Sequence, residues 1–399
     1  ENVTVSIATS GTGTEGTDYG TISDITISAG NTTGTSSFTP LDDSLYVGNE
    51  TAIVAISGVS GGSVSESGTQ VVTLTINENE DGPKVTLSTS ASSIAENAGS
   101  SLTLTATLSV AASGTVTVNI ATAGTATGGT DYDTISNITI SEGDLSGTVS
   151  FTPTDDSGDP VYEANETAIV AISSVTGLAT EDGTQSLAIT ILENESAPTV
   201  TLASSASSIA ENAGSALTLT ATLSGKADED VTVSIGTSGT GSEGTDYSAI
   251  SDITISAGNT TGTSSFTPTD DSIYEGDETG IVAISGVSGG GASESGLQSV
   301  TLTITENESA PTVTLTSSAS SIAENAGSAL TLTAALSGAT DENVIVSIST
   351  SGTGTEGTDY ATISDITITA GNTTGTASFT PTDDSGDPVY EENETAIVA

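Results

Sequence analysis

Apolar residues recur at every second position in short stretches along the whole chain. Leu102, Leu104, Ala106 and Leu108 alternate with Thr; the same spacing links Val116, Val118 and Ile120, then Ile138 and Ile140, Val149 and Phe151, Ala168, Val170 and Ile172, and Leu187, Ile189 and Ile191. Residues two apart lie on one face of a pleated strand, so each stretch predicts a strand with one face in a core. The Thr and Ser between them face water and still favour β geometry. Clusters such as Gly143-Asp144-Leu145-Ser146-Gly147 punctuate the stretches as hairpin turns. No useful length of chain has helical periodicity. About seven alternating strands per unit predict an all-β fold, a two-sheet antiparallel sandwich of immunoglobulin-like architecture.

The unit itself is set by repetition. Thr-Asp-Tyr ends at Tyr19, Tyr132, Tyr247 and Tyr360, and Phe-Thr-Pro begins at Phe38, Phe151, Phe266 and Phe379, both stepping by 113, 115 and 113 residues. Asp-Asp-Ser begins at Asp42, Asp155, Asp270 and Asp383 with the same steps, and Ala-Glu-Asn is centred on Glu96, Glu211 and Glu324. Such a period is too long for a solenoid repeat and matches one small globular domain. The expected domains are 1–82 (partial), 83–197, 198–310 and 311–399 (partial), a window from a longer array. Junctions such as Asn194-Glu195-Ser196-Ala197-Pro198 carry no Gly/Ser spacer, so consecutive domains should abut.

Charge then narrows the chemistry. The 399 residues hold 52 Asp plus Glu against 2 Lys plus Arg, a formal net charge of −50, with no Cys, His, Met or Trp. Nucleic acid and anionic membrane surfaces are excluded as direct partners. Thiol and imidazole catalysis, Cys or His zinc sites and disulfides are excluded by composition. No apolar run reaches the roughly 18 residues of a membrane span. Paired carboxylates could serve glycoside hydrolysis, but that chemistry wants an acid in an apolar pocket beside stacking aromatics. With 3% aromatics, no enzyme is expected.

The acids are not scattered; many fall at strand ends and recur in each copy. The second copy has Glu96, Asp131, Asp155, Asp156, Glu163, Glu166, Glu193 and Glu195; the third has Glu211, Asp246, Asp270, Asp271, Glu275, Glu278, Glu306 and Glu308. The first offers Asp18, Asp42, Asp43, Glu50, Glu78 and Glu80, and the fourth Glu324, Asp359, Asp383, Asp384, Glu391 and Glu394. In an up-and-down topology these ends can converge at one pole. Two like charges about 4 Å apart repel by roughly 4 kcal/mol at an effective dielectric of 20, and almost no Lys or Arg offsets them. Either the groups stay apart and hydrated or a mobile cation neutralises them. Ca²⁺ suits such a set, because it accepts six to eight oxygen ligands in flexible geometry. Transition metals lack their preferred ligands here.

The order Ala-Glu-Asn, Gly-Thr-Asp-Tyr, Phe-x-Pro then Asp-Asp, Tyr-Glu-x-x-Glu and a closing acidic triplet resembles the Calx-β domain, over essentially the whole chain. The resemblance implies seven-stranded sandwiches that bind Ca²⁺ through loops at one end, with the acids above as ligands. Departures are visible. The closing triplet is Glu193-Asn194-Glu195, where calcium-binding members often carry Asp; Val47 replaces the counterpart of Glu163; Gly-Asp-Pro is inserted at 158–160 and 386–388.

Competing local readings are plain. Asp131 can cap its own turn, the closing acids can be a solvated edge, Tyr132 suits packing, and Glu142, Asp144, Glu181 and Asp182 suit hairpin tips. Asn31-Thr32-Thr33 and Asn165-Glu166-Thr167 are sequons. The reading as a whole is a segment of an extracellular, cell-surface fibre or adhesin whose Ca²⁺ locks each domain to its neighbour. Each domain should be about 40 Å long at roughly 3.3 Å per strand residue. The alternatives are a metal-independent shaft presenting a separate tip, and direct adhesion to a glycan or surface. Other copies could pack laterally in a filament.

Overall fold

The alternation becomes sheets whose inner faces are the predicted ones. The computed structural model describes residues 1–156, 160–383 and 392–399, and Asp384 and Glu391 lie outside them. The chain forms two compact units, Glu1–Glu195 and Ser196–Ala399, each with two copies of the repeat. Among the described residues there is no helix, so none is long and apolar enough to cross a membrane.

In the first unit the second repeat is the complete sandwich. One sheet orders Ser146–Phe151, Leu102–Leu108, Lys84–Thr89 and Thr180–Glu181; the other orders Ser93–Ala95, Ser186–Leu192, Glu166–Thr176, Val116–Gly124 and Ile138–Ile140. Leu102, Leu104, Ala106 and Leu108 are buried from one side, and Val116, Val118, Val170 and Ile189 meet them from the other. In the second unit the third repeat repeats this arrangement with Thr261–Phe266, Leu217–Leu223, Thr199–Ser204 and Ser293–Glu294 facing Ser208–Ala210, Ser299–Thr305, Glu278–Ser288, Val231–Gly239 and Ile253–Ile255.

Two features differ from the sequence expectation. The order is not up-and-down: the chain crosses between sheets after Leu108, after Ile140 and after Phe151. Sandwiches of this kind use Greek-key connections that carry the chain from one sheet to the other. There are also more than seven strands, because short segments close the edges in parallel: Ser93–Ala95 on Ser186–Leu192, and Thr180–Glu181 on Lys84–Thr89. The alternation in these pieces is too short to announce a strand.

The site-bearing end is built by an aromatic anchor. Tyr132 is 1% exposed and stacks on fully buried Phe151 with ring centroids 4.8 Å apart. Tyr247 and Phe266 do the same at 4.7 Å. Thr154 N donates to Asp131 O and Asp133 N to Thr152 O, so the Thr-Asp-Tyr loop is tied to the end of the Phe-Thr-Pro strand. The preceding strand ends on Gly124 and Gly239, at φ of 117° and 127°. A Cβ there would lie 2.0 and 2.1 Å from the carbonyl oxygens of Thr167 and Thr279, so only glycine allows the close approach.

The partial repeats are simpler. The first is a single sheet ordered Ile25–Ile27, Val3–Gly11, Glu50–Ser60 and Val71–Ile76. Tyr19 still packs against Phe38, tilted by 31° with ring centroids 5.0 Å apart. The fourth has Val313–Ser317, Leu330–Leu336 and Thr374–Phe379 in one sheet, and the pairs Val344–Val346 with Ile366–Ile368 and Thr350–Gly352 with Ala396–Val398.

Candidate metal centre

At this pole of the second repeat, strand ends from both sheets bring the acids together. Three triads have carboxylate oxygens within 4.8 Å of one another: Glu96, Asp155 and Asp156; Glu96, Glu193 and Glu195; Asp131, Glu163 and Glu166. Every acid predicted for this copy is in one of them. Glu96, shared by two triads, is held there by its own amide, which donates to Leu192 O at 3.0 Å. Glu96, Asp131, Glu163, Glu166 and Glu193 also line one hollow, floored by Ile191.

The carboxylates differ in how far their oxygens are committed to the fold. Asp131 Oδ2 accepts Thr127 N at 2.6 Å, so the turn-capping role and membership of the triad hold together. Glu193 is the most committed to the backbone. Its Oε2 accepts Glu163 N at 2.5 Å, and its Oε1 accepts Asn194 N and Glu195 N, each at 2.7 Å. Asn165 fixes it from behind by accepting Glu193 N at 2.9 Å. The sequence marked Asn165 only as part of a sequon, although Asn or Asp precedes Glu166 and its counterparts in every copy: Asn49, Asn165, Asp277 and Asn393.

The third repeat repeats the site with a variation. Glu211, Glu306 and Glu308 form one triad and Asp246, Glu275 and Glu278 another. Asp270 and Asp271 join no triad; Asp271 instead turns its amide to Glu211 Oε1 at 3.0 Å and caps Ile273 N with Oδ1 at 2.6 Å. In the second repeat, Asp156 Oδ2 caps Val161 N instead, across the inserted Gly-Asp-Pro. Glu306 accepts Glu275 N, Gly276 N, Asn307 N and Glu308 N. Glu211 is 7% exposed.

The first and fourth copies are poorer. Asp18, Asp43, Glu50, Glu78 and Glu80 line a common hollow, and Asn79 Nδ2 donates to Asp42, but no triad forms there among the described residues. Asp18 caps Thr14 N, and Glu78 accepts Val47 N and Gly48 N. Asp359 likewise caps Thr355 N. Asp359, Glu324, Asp383 and Glu394 are in no triad among the described residues.

Electrostatics show what the clusters lack. Burial pushes Glu96 up to about 7, with repulsion from Glu193, Asp156, Glu163 and Glu195 adding to it. Glu195 reaches about 7 mainly because its carboxylate faces that of Glu193, with burial and repulsion from Asp156 adding to it. In the third repeat, burial pushes Glu275 and Glu278 to about 7, with Asp246 the largest repelling charge on each. Burial also raises Glu211, and contact with Glu306 raises Glu308. Glu306 runs the other way: burial works against its charge, but the backbone amides prevail and hold it at about 2.

Three oxygens decide whether a cation fits. Asp156 Oδ1, Glu195 Oε2 and Glu308 Oε2 are out of contact with water and receive no hydrogen bond. A buried acceptor without a donor is costly, and an ionised one more so. All three belong to triads or flank them, and all donors are carboxylate oxygens, the ligand type of a hard cation. The residues therefore fit Ca²⁺.

The family profile described as Calx-beta domain matches residues 1–80, 78–195, 193–308 and 306–399. No curated protein sequence matches the chain. Among solved structures, CBD12 from CALX1.2 is 16% identical, with 55% of this chain and 99% of that chain covered at a TM-score of 0.26. The adhesin InvE of Yersinia pseudotuberculosis is 15% identical, over 56% of this chain and 60% of that one, at a TM-score of 0.28. Invasin, a bacterial integrin-binding protein, is 14% identical over 100% of this chain and 71% of its own, at a TM-score of 0.24.

Proposed function

We propose that this chain, which belongs to the Calx-beta domain family along its whole length, is a calcium-binding repeat segment of an extracellular surface fibre or adhesin. The observation that carries the reading is the meeting of triads and orphaned oxygens at one pole of the second and third repeats. Bound there, Ca²⁺ would supply positive charge that a chain with only two Lys provides sparingly, and it would accept the carboxylate oxygens as ligands. Asp131, Glu163 and Glu166 would hold one ion of the second repeat, and Glu96, Asp155, Asp156 and Glu195 would hold the rest. Glu193 would act mainly by fixing the loop amides around them. The carboxylates serve this purpose rather than catalysis, and the partners are the neighbouring repeats and, in a filament, other copies of the chain.

Extracellular calcium modules commonly bind with Kd of about 10⁻⁴ to 10⁻³ M, so millimolar external Ca²⁺ would fill such sites. Isothermal titration of the full chain is expected to show Ca²⁺ binding in that range. Glu166→Gln with Glu278→Gln should remove the sites that contain them, and a titration without heat would refute the reading. A metal-independent shaft is favoured for the first repeat alone, where Val47 stands at the place of Glu163 and no triad forms among the described residues.

A further inference from the structure

Within the second unit, the third and fourth repeats meet through backbone next to the cation cluster. Ile273 and Tyr274 pair in parallel with Ala339 and Thr340, and Asp341 N donates to Tyr274 O at 3.4 Å. Glu275, the residue after Tyr274, belongs to the triad with Asp246 and Glu278. The joint thus sets Asp341 of one repeat beside the acids of the one before.

The same joint occurs within the first unit with different residues. Tyr46 bridges to Ala112, and Ser113 N donates to Tyr46 O at 3.1 Å. By the repeat steps, Ser113 stands at the position of Asp341 and Val47 at that of Glu275. Both acids are missing together. Of the two joints that lie within a unit, one therefore carries a carboxylate on its forward side together with a Glu on the other, and the second carries neither, although two unneutralised like charges would repel.

We propose that Asp341 is an inter-repeat ligand: the fourth repeat supplies a carboxylate to the cation site of the third, so that one ion ties the two together. Calcium affinity follows the number of charged ligands, and a site completed by two domains is filled only when they are docked. Cation binding and stiffness of this joint are then one equilibrium. The joint between the first and second repeats, with Val47 and Ser113, lacks the device.

This inference rests on the calcium reading of the pole. The test uses the full chain, whose lack of Cys lets spin labels be placed uniquely at exposed Thr301→Cys and Ile345→Cys. Distance distributions between the labels are recorded during a Ca²⁺ titration, beside calorimetry on the same samples. Ca²⁺ should narrow the distribution, Glu278→Gln should abolish the narrowing, and Asp341→Asn should move its midpoint to about tenfold higher Ca²⁺. An Asp341→Asn chain that narrows at the original midpoint overturns the inter-repeat ligand while leaving calcium binding intact. A parent chain that takes up no Ca²⁺ overturns both.

Discussion

Asp131 shows how one carboxylate can serve fold and site at once. Its Oδ2 closes the loop onto Thr127 N, which leaves Oδ1 for a cation, and Asp18, Asp246 and Asp359 cap their loops in the same way. Glu96 is the opposite case, with a charge opposed by burial and by four neighbouring acids. Glu96→Gln is expected to raise the melting temperature of the calcium-free protein by about 2–5 °C. The same change should reduce calcium's stabilising effect on the second repeat by removing the sites that Glu96 shares, leaving the Asp131, Glu163 and Glu166 triad, which differential scanning calorimetry would read. The pH dependence follows with a definite sign. Glu96, Glu195, Glu275 and Glu278 lie near 7 in the folded chain against an ordinary 4.5. Between these values the folded state holds protons that the unfolded state has lost, so their contribution is complete below about 4.5 and is lost as pH rises through 7. Calcium-free melting temperature should therefore fall from pH 5 to pH 8. Saturating Ca²⁺ should flatten that fall; parallel curves with and without the ion would contradict it.

At the scale of strands and loops, the pole depends on close backbone approach. Gly239→Ala would force a Cβ to within 2.1 Å of Thr279 O at a φ of 127°. A loss of about 2–4 kcal/mol in stability is expected by denaturant unfolding, and with it the position of Asp246 seven residues on. Much of this element structure was legible in the sequence. Alternation located the long strands because their faces see two different solvents, and Tyr132 was correctly read as packing. Strand order was not legible: residues such as Val149 and Val170 alternate alike whichever sheet they join. The edge pieces Ser93–Ala95 and Thr180–Glu181 are too short to carry a period. Glu181, expected only to solvate a hairpin tip, instead accepts Gln185 N at 2.6 Å, as Glu294 accepts Gln298 N. Asp24, Asp252 and Asp365 likewise accept the amides of Ile7, Ile235 and Ile348. The first two of these amides lie where the register shifts. Such bonds depend on the partner strand and leave no local mark. The clustering of acids in the second and third repeats was legible because the acids recur together; the amide cradle around Glu193 and Glu306 became visible only once loops from distant positions were joined.

For the molecule as a whole, the −50 formal charge is divided between ordinary solvated acids and a concentrated fraction at the poles of the repeats. Screening by simple salt acts over about 8–10 Å at physiological ionic strength and weakens exposed repulsion, but it reaches the buried oxygens of Glu195 and Glu308 poorly. A coordinating cation therefore should do what salt cannot: replacing Ca²⁺ with an ionic-strength match of NaCl should recover little of the stabilisation. The most direct test of the account is the thermal unfolding midpoint of the full chain at pH 8 against free Ca²⁺ from chelator to 10 mM. Binding to the folded state alone raises stability by RT ln(1 + [L]/Kd), about 1.4 kcal/mol per site at tenfold excess over Kd. The account predicts a midpoint that climbs through the millimolar range and collapses on chelation; a midpoint that stays constant across that range would contradict it.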